Sequence, residues 1–488
     1  MRSGDRVACV LTNSPSACST VFGVWLAGAS LVSLPTIPRG MEPALYMAQL
    51  RRIVELAEPV LITADPEVTG FLEPLGSSVP QRTFNSLHGG PLTEVPAIDP
   101  GAEALVQFSS GSTGDPRGCV ITAGAIVRQL DLLDKSLEFD PELDHVMSWL
   151  PLSHDMGLVG CLLLSYWTGF RLTLGSPRRF MLQPTSWMND CARVGATTIV
   201  APNFALDLAA RVASRAAPFR TPLRRCIVGG ERVELATLAR ASDALGADRL
   251  PLDSFVPAYG LAEAVLAVAM TPVGREPNFI KIDGDACNSG CLRVVESGAD
   301  SQGSTITLVS SGRPLAGVTV RIHGDGEIGE IIVRSPALAE GYLGRPDLTA
   351  QRFQGNEFRT GDLGALVDGE LYVIGRIDDI LIVAGRNVNA RDIEANLSAV
   401  AGIRPGNCVL VQEDRGRSGI VLLAETHPGA DFTAIAREAR RISRDTAGVP
   451  IDACVFVGAG SLPKTPSGKV QRFRCRELLH VSPARDVY

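Results

Sequence analysis

The residues best suited to chemistry in this chain crowd into one stretch, LVQFSSGSTGDPRGCVIT, from Leu105 to Thr122. An apolar run, Ala104 to Phe108, predicts a buried strand. It breaks into Ser109, Ser110, Gly111, Ser112, Thr113 and Gly114, hydroxyls interleaved with glycines. Asp115-Pro116 forces a turn, and after Gly118 a second apolar run, Cys119 to Ile121, begins. Glycine lets the backbone take positive φ and approach a ligand closely. Successive N–H groups and hydroxyls can then converge on an anion, with Arg117 adding a planar positive fork. That is the chemistry of a phosphate cradle, although the same composition also serves a flexible hairpin. The spacing is not GxxxxGK[ST], which excludes a P-loop.

A second candidate comes from usage. Of 46 basic residues only four are lysine, Lys135, Lys281, Lys464 and Lys469, and the other 42 are arginine. A lysine kept in that background points to a task for a compact ammonium on a flexible stem rather than a fixed fork. Lys464 and Lys469 stand together in PKTPSGKVQR (463–472), where Pro466 to Gly468 makes a polar loop.

The bulk numbers bound what surrounds these residues. A chain of 488 residues with 45% apolar content can bury large cores in two or more domains. A net charge of −7 and a pI of about 5.6 argue against a nucleic-acid partner. The opening MRSGDRVACVLTN lacks the apolar core of a signal peptide. The most apolar stretch, Val159 to Phe170, carries Ser165, Thr168 and Gly169 and is too short to span a bilayer. The expectation is a cytoplasmic protein without integral membrane association. Eleven cysteines follow no metal-ligand spacing; Cys287 and Cys291 lie four apart with no further ligand near them, so most cysteines are expected as small buried apolar residues.

The elements that must position the loop read as α/β. Arg6 to Asn13 predicts a strand, Ser14 to Ala29 a helix opened by Ser14-Pro15, and Ser30 to Thr36 a strand, a parallel βαβ unit. The alternation continues through Pro59 to Thr63, Thr122 to Leu137, His145 to Leu150, Thr198 to Pro202, Arg225 to Val228 and Leu235 to Leu245. Residues 1 to about 260 thus read as doubly wound sheets with helices on both faces. After about 275 short alternating runs predict an antiparallel region, with a hairpin turning at Asp368-Gly369. Beyond Arg376 a small α+β unit follows. It contains a hairpin from Asp379 to Ala384, helices from about Ala390 and from Phe432 to Ala447, and strands Cys408 to Gln412, Gly419 to Glu425 and Ala453 to Val457. The expected domains are 1–376 and 377–488.

Four stretches, SSGSTGDPRG (109–118), AYGLAEA (258–264), FRTGDLG (358–364) and PKTPSGKVQR (463–472), stand in the order and spacing of the adenylate-forming superfamily of acyl-CoA synthetases, luciferases and nonribosomal adenylation domains. The chain resembles that superfamily over almost its whole length. SWLPLSHDMGLVG (148–160), Ala262 where most relatives carry Thr, LVSSGRPLAG (308–317) and GRIDDILIVAGRNVNARDIE (375–394) look like its fatty acyl-AMP ligase branch. Asn278 to Thr305 resembles that branch's extra segment, which restrains the C-terminal domain and disfavours transfer to CoA.

The resemblance implies a large N-terminal adenylation domain with ATP and acyl sites, a small mobile lid, and use of ATP and Mg²⁺. A carboxylic acid, fatty or otherwise hydrophobic, would become an acyl-adenylate and then pass to the phosphopantetheine thiol of an acyl carrier protein. It implies that Ser109 to Gly114 hold the β- and γ-phosphates, Thr113 among them. Arg117 stands where many relatives have Lys. Glu263 would hold Mg²⁺, the oxygen donor a hard cation takes. Tyr259, beside Gly260, would stack on adenine, and Gly229, Gly230 and Glu231 would touch the base edge. Asp362 would accept both ribose hydroxyls, Arg376 would reach ribose or α-phosphate, and Asp378 would be the hinge. Lys469 would contact the substrate carboxylate and the α-phosphate, stabilising charge that develops in the transition state. His154 would gate the acyl site or contact the carboxylate. Read as isolated residues, Glu263 also suits a helix start, Tyr259 core packing, Gly361-Asp362 a turn and Lys469 a solvated surface.

Two other functions fit the same residues. One is an acyl-CoA or aryl-CoA ligase, and the other a non-catalytic acyl- or nucleotide-binding relative. Compared with the superfamily the chain starts some tens of residues in, which implies either a misplaced start or a trimmed N-terminal subdomain.

Overall fold

The computed structural model describes residues 2–37, 43–72, 75, 78–87, 97–109, 116–213, 222–245, 250–295, 305–383, 386–413, 419–464 and 470–481. Two seven-stranded sheets form its larger part. The first runs, in space, Gly341–Tyr342, Arg117–Thr122, Glu103–Ser109, Ser30–Leu34, Arg6–Val10, Leu61–Ala64, Gln81–Thr83. Its members from Glu103–Ser109 onward pair in parallel, whereas Arg117–Thr122 is antiparallel to both its neighbours. The second sheet runs Arg313–Pro314, Ala267–Met270, Phe255–Gly260, Arg225–Val228, Thr198–Ala201, His145–Ser148, Arg171–Leu174. The doubly wound expectation therefore holds for the parallel strands, with antiparallel edges added.

Local chemistry sets several boundaries. Ser14 caps the helix Pro15–Leu26 by accepting the Ala17 N–H, and Pro15 occupies the first turn, where no intrahelical donor is needed. Ala17, Val21 and Val24 on that helix are buried in the main core. The strand that the apolar pattern carries to Asn13 ends at Val10. Asn13 leaves the sheet because its amide stitches the two sheets' loops together. Its Nδ2 donates to Leu150 O at 3.0 Å and Gly175 O at 2.7 Å, and its Oδ1 accepts from Leu152 N at 3.1 Å. The apolar run after Asp155 opens into a π-helical turn, Leu158–Leu163, before the short helix Leu164–Thr168. The helix Pro43–Ala57 had no counterpart in the sequence pattern.

A third, antiparallel sheet joins Thr319–His323, Gly329–Arg334, Glu357–Val367 and Phe353–Gln354, and Glu370–Arg376 pairs with Glu357–Val367. The hairpin between those last two strands turns with Asp368 at φ +52° and Gly369 at φ +79°, as its Asp-Gly pair predicts. Beyond the single helical turn Ile377–Asp379, a separate apolar core gathers Leu381, Ile393, Leu410, Leu422, Ile435 and Cys454. Helices Ala390–Leu397 and Phe432–Ala447 pack on the strands Ile403–Glu413, Gly419–Thr426 and Ala453–Val457. The cysteines carry no disulfide, and nine of the eleven are buried.

Candidate active site

Register brings the first group together. In the Glu357–Val367 and Glu370–Arg376 pair, Asp362 stands opposite Arg376. Arg376 Nε donates to Asp362 Oδ1 at 3.0 Å, and the Tyr259 hydroxyl, from the end of Phe255–Gly260, donates to Oδ2 at 2.7 Å. The Asp362 charge raises the Arg376 guanidinium against the opposing pull of burial, so Arg376 stays cationic. Burial, then the Asp362 charge, push the Tyr259 phenol up, so it remains a neutral donor. The irregularity in the strand that presents Asp362 is fixed from behind. Gly361, at φ +73°, donates its N–H to Glu330 at 3.0 Å, and a Cβ there would lie 2.8 Å from Arg352 Nη1. A left-handed backbone against a packed guanidinium leaves room only for glycine.

Glu263 sits on a strained turn. Ala262–Ala264 form one helical turn after Phe255–Gly260, and Val265 then adopts φ +65°, ψ −49°. The Leu266 N–H donates to Ala264 O at 2.8 Å across it, an i to i+2 bond. Positive φ at a buried β-branched residue is costly, on the order of 1–3 kcal/mol, and persists where the surroundings overdetermine it. Two partners hold the result. The Tyr342 hydroxyl donates to Glu263 Oε1 at 2.6 Å, and Ala339 N donates to the Glu263 carbonyl at 2.8 Å. Tyr342 is 5% exposed and lies in the two-residue strand that pairs with Arg117–Thr122 opposite Cys119. Burial, then the Glu263 charge, push its phenol up, which keeps the donor proton on Tyr342. The sequence pattern gave no role to Tyr342.

Ser109 pairs with Arg117 across Glu103–Ser109 and Arg117–Thr122, which brings the two ends of the Ser/Thr/Gly stretch side by side. Ser110, Gly111, Ser112, Thr113 and Gly114 lie outside the described residues, and so does Lys469. Lys464 and Val470 bridge at the neck of the 465–469 loop, and Gln471 N donates to Pro463 O at 2.8 Å.

Gly229, Gly230 and Glu231 follow the strand Arg225–Val228. A Cβ on Gly229 would lie 3.0 Å from Ala258 O, and Gly230 takes φ +77°. Glu231 turns Oε1 to the Phe204 N–H at 2.7 Å, satisfying the first turn of Asn203–Ala213, and leaves the two glycine backbones beside it. The neighbouring Arg232, unmarked by the sequence pattern, donates to Asp392 at 2.5 Å and to Thr307 O at 3.0 Å. It thereby ties this loop both to Ala390–Leu397 and to the Phe279–Asp283, Thr305–Val309 hairpin.

His154 caps Asp155–Gly157, its Nδ1 lying 2.6 Å from Asp155 Oδ1, with about a third of its side chain exposed. A Cβ on Gly157 would lie 2.2 Å from Pro151 O, so the helix start can press against that loop only with glycine. The π-helical turn follows, a feature common at functional sites.

One cleft of about 2130 Å³ connects these groups. Arg117, His154, Tyr259, Glu263, Asp362 and Arg376 line its polar part, and Val470 and Gln471 border it from the 470–481 segment. Its apolar part is lined by Leu133, Gly160, Leu164, Met181 and Phe204. A volume well beyond the roughly 300–1,000 Å³ of ordinary ligand pockets suits more than one substrate. Among the described residues no three His, Cys, Asp or Glu side chains gather as a metal cluster. Glu263 thus offers a lone carboxylate, a donor set that fits Mg²⁺ held mainly by phosphate oxygens and water.

Doubly wound sheets, an antiparallel subdomain and a cleft pairing nucleotide-type polar groups with an apolar wall define an adenylating fold. The family model of the AMP-binding enzymes matches residues 1–343, and the chain belongs to that family, in its fatty acyl-AMP ligase branch. It is 33% identical over 434 residues to the long-chain-fatty-acid–AMP ligase FadD32 of Mycolicibacterium smegmatis, covering 76% of this chain and 68% of that protein. It is 30% identical over 516 residues to the long-chain-fatty-acid–AMP ligase FadD26 of Mycobacterium tuberculosis, covering 97% and 87%. A solved structure from the fatty acyl-adenylate ligases of E. coli and L. pneumophila superposes with TM-score 0.89 at 25% identity, over 98% of this chain and 88% of that one. The L. pneumophila fatty acyl-adenylate ligase in complex with acyl adenylate and pyrophosphate gives TM-score 0.72 at 25% identity, over 100% and 88%.

Proposed function

We propose that this chain activates a hydrophobic carboxylic acid with ATP and then passes the acyl group to the phosphopantetheine thiol of an acyl carrier protein. In the first step a carboxylate oxygen bonds to the α-phosphorus, the bond to the β-phosphate oxygen breaks, and pyrophosphate leaves. In the second the thiolate attacks the acyl carbon and AMP leaves. The observation that carries the reading is the cleft that Asp362, Arg376, Tyr259 and Glu263 line together with the apolar residues Leu133, Leu164, Met181 and Phe204. The named activity of the long-chain-fatty-acid–AMP ligases it resembles agrees with it.

Each residue has a task in this scheme. Asp362, held by Tyr259 and Arg376, accepts the ribose hydroxyls; its orientation is set before the nucleotide arrives, so little ordering remains to be done. The Tyr259 hydroxyl is engaged by Asp362, which leaves its ring for the base, and Gly229 and Gly230 present backbone to the base edge. Ser109 to Gly114 with Arg117 hold the pyrophosphate half. Glu263 would hold Mg²⁺, which neutralises phosphate charge when bound. Lys469 bridges carboxylate and α-phosphate where charge accumulates. His154 borders the passage from the polar to the apolar part. The lid, 377–488, turns about Asp378 between the two steps.

The choice of acceptor rests on Arg232. By bonding Asp392 and Thr307 O together it joins the lid helix to the extra hairpin, a restraint on lid rotation that favours a docked carrier over free CoA. Supplying pre-formed acyl-adenylate with either holo carrier protein or CoA tests this. Thioester is expected on the carrier, with transfer to CoA at least tenfold slower; thioester on CoA but not on carrier would replace the reading with that of a CoA ligase.

A further inference from the structure

The mechanism so far leaves unexplained a buried ionic cluster at the base of the lid. Arg472 opens the helix Arg472–Val481, three residues after Lys469, and Asp379 follows the hinge position Asp378. Arg472 Nε donates to Asp379 Oδ1 at 3.0 Å. Its Nη1 and Nη2 donate to Glu394 Oε1 and Oε2 at 2.6 and 3.1 Å, and Nη1 also reaches Leu410 O. Arg391 Nε donates to the other Asp379 oxygen at 2.8 Å, and Glu394 Oε1 accepts the Leu410 N–H at 2.6 Å. The side chains of Arg472, Asp379 and Glu394 are only 12, 10 and 14% exposed. Burial pushes the Asp379 carboxyl up, but the Arg472 and Arg391 charges outweigh it and hold it at about 2. Asp379 therefore stays ionised across the physiological range.

Well-packed apolar residues would stabilise such a site as well or better, because desolvation cancels much of the attraction between buried charges. What apolar contacts lack is direction. A guanidinium with all three nitrogens engaged fixes where its backbone stands relative to both carboxylates. The 465–469 loop is closed at its neck by the Lys464–Val470 bridge and the Gln471–Pro463 bond, and Lys464 Nζ is anchored on Asn407 at 2.6 Å. Arg472 continues that neck straight to Asp379.

We propose that Arg472 is a positioning residue that splices Val470 and Gln471, the chain that leads out of the lysine segment, to the hinge, so that rotation at Asp378 and the approach of Lys469 to the nucleotide site are coupled. A misplacement of about 1 Å in a reacting group can cost on the order of a hundredfold in rate. The splice therefore matters to adenylation, where Lys469 acts, and not to thioester formation, where it has left the site. This rests on the reading of Lys469 given above.

Arg472→Lys keeps the charge but not the fork, and Asp379→Asn keeps the shape but not the charge. In each, acid-dependent ATP–pyrophosphate exchange is expected to lose tenfold or more in kcat with the ATP KM within threefold. Acyl transfer from supplied acyl-adenylate should stay within threefold. Lys469→Ala is measured alongside, and Arg472→Lys added to it should cost nothing further. If Lys469→Ala keeps full exchange, the lysine assignment fails and takes the splice with it. If Lys469→Ala abolishes exchange but both cluster variants keep it, the splice alone is overturned. An equal fall in both half-reactions, or loss of hydrogen-exchange protection in Ala390–Leu397, makes the cluster merely structural and also overturns it.

Discussion

Lys469→Ala is expected to abolish acid-dependent ATP–pyrophosphate exchange while leaving ATP bound. The groups proposed to hold the nucleotide, Tyr259, Asp362 and Arg376, precede the hinge and do not need the lysine to take their places. What is removed is a contact made as negative charge gathers between the carboxylate and the α-phosphate. Deleting one such preorganised donor costs roughly 10²–10³ in kcat, about 2.7–4 kcal/mol. Calorimetric titration with ATP should give a dissociation constant within threefold of the parent chain. Transfer from supplied acyl-adenylate should persist. Arginine should not substitute: the chain uses 42 arginines and still places lysine here, where a single flexible ammonium must meet two oxygens of different groups.

Asp362→Asn should fail in a different way. The replacement is isosteric and can still accept the Tyr259 hydroxyl, but it loses the charge opposite Arg376 and half of its capacity to accept ribose hydroxyls. Hydrogen bonds to a charged group are each worth roughly 1.5–3 kcal/mol, so ATP affinity should fall about ten- to a hundredfold. Both half-reactions should suffer, because acyl-adenylate carries the same ribose. Steady-state titration of ATP, and separately of acyl-adenylate, should show KM rising in both cases. A variant that lost only kcat in exchange would place Asp362 with the reacting atoms instead.

These contrasts draw on what was legible in the residues and what was not. The elements Leu235–Leu245, Phe432–Ala447 and Ala453–Val457 lie where periodicity places them, because apolar pattern and turn residues mark both ends. The Asp368-Gly369 hairpin was equally readable, but the Asp362–Arg376 pairing was not, because a register shift between Leu363 and Gly364 moves it one position from where the turn alone would put it. Tyr342 was not. It belongs to a strand of two residues, too short for any period, and reaches Glu263 across 79 positions through an edge pairing. Val265 hid for the opposite reason: a β-branched residue is the last expected at positive φ, so the turn that aims Glu263 contradicts local preference. Arg232 and Arg472 looked like two arginines among many. Their weight comes from partners 160 and 78 positions away, which only the packed lid brings within reach.

The central claim is formation of an acyl-adenylate, and the most direct test is to look for it. The chain is incubated with ATP, Mg²⁺ and a panel of linear fatty, aryl and polycyclic acids, and the products are resolved by mass spectrometry with pyrophosphate measured in parallel. The account predicts an acyl-adenylate and pyrophosphate in equal amounts for at least one hydrophobic acid. Release of ADP and phosphate, or binding of acid and ATP with no adenylate from any acid in the panel, would contradict it.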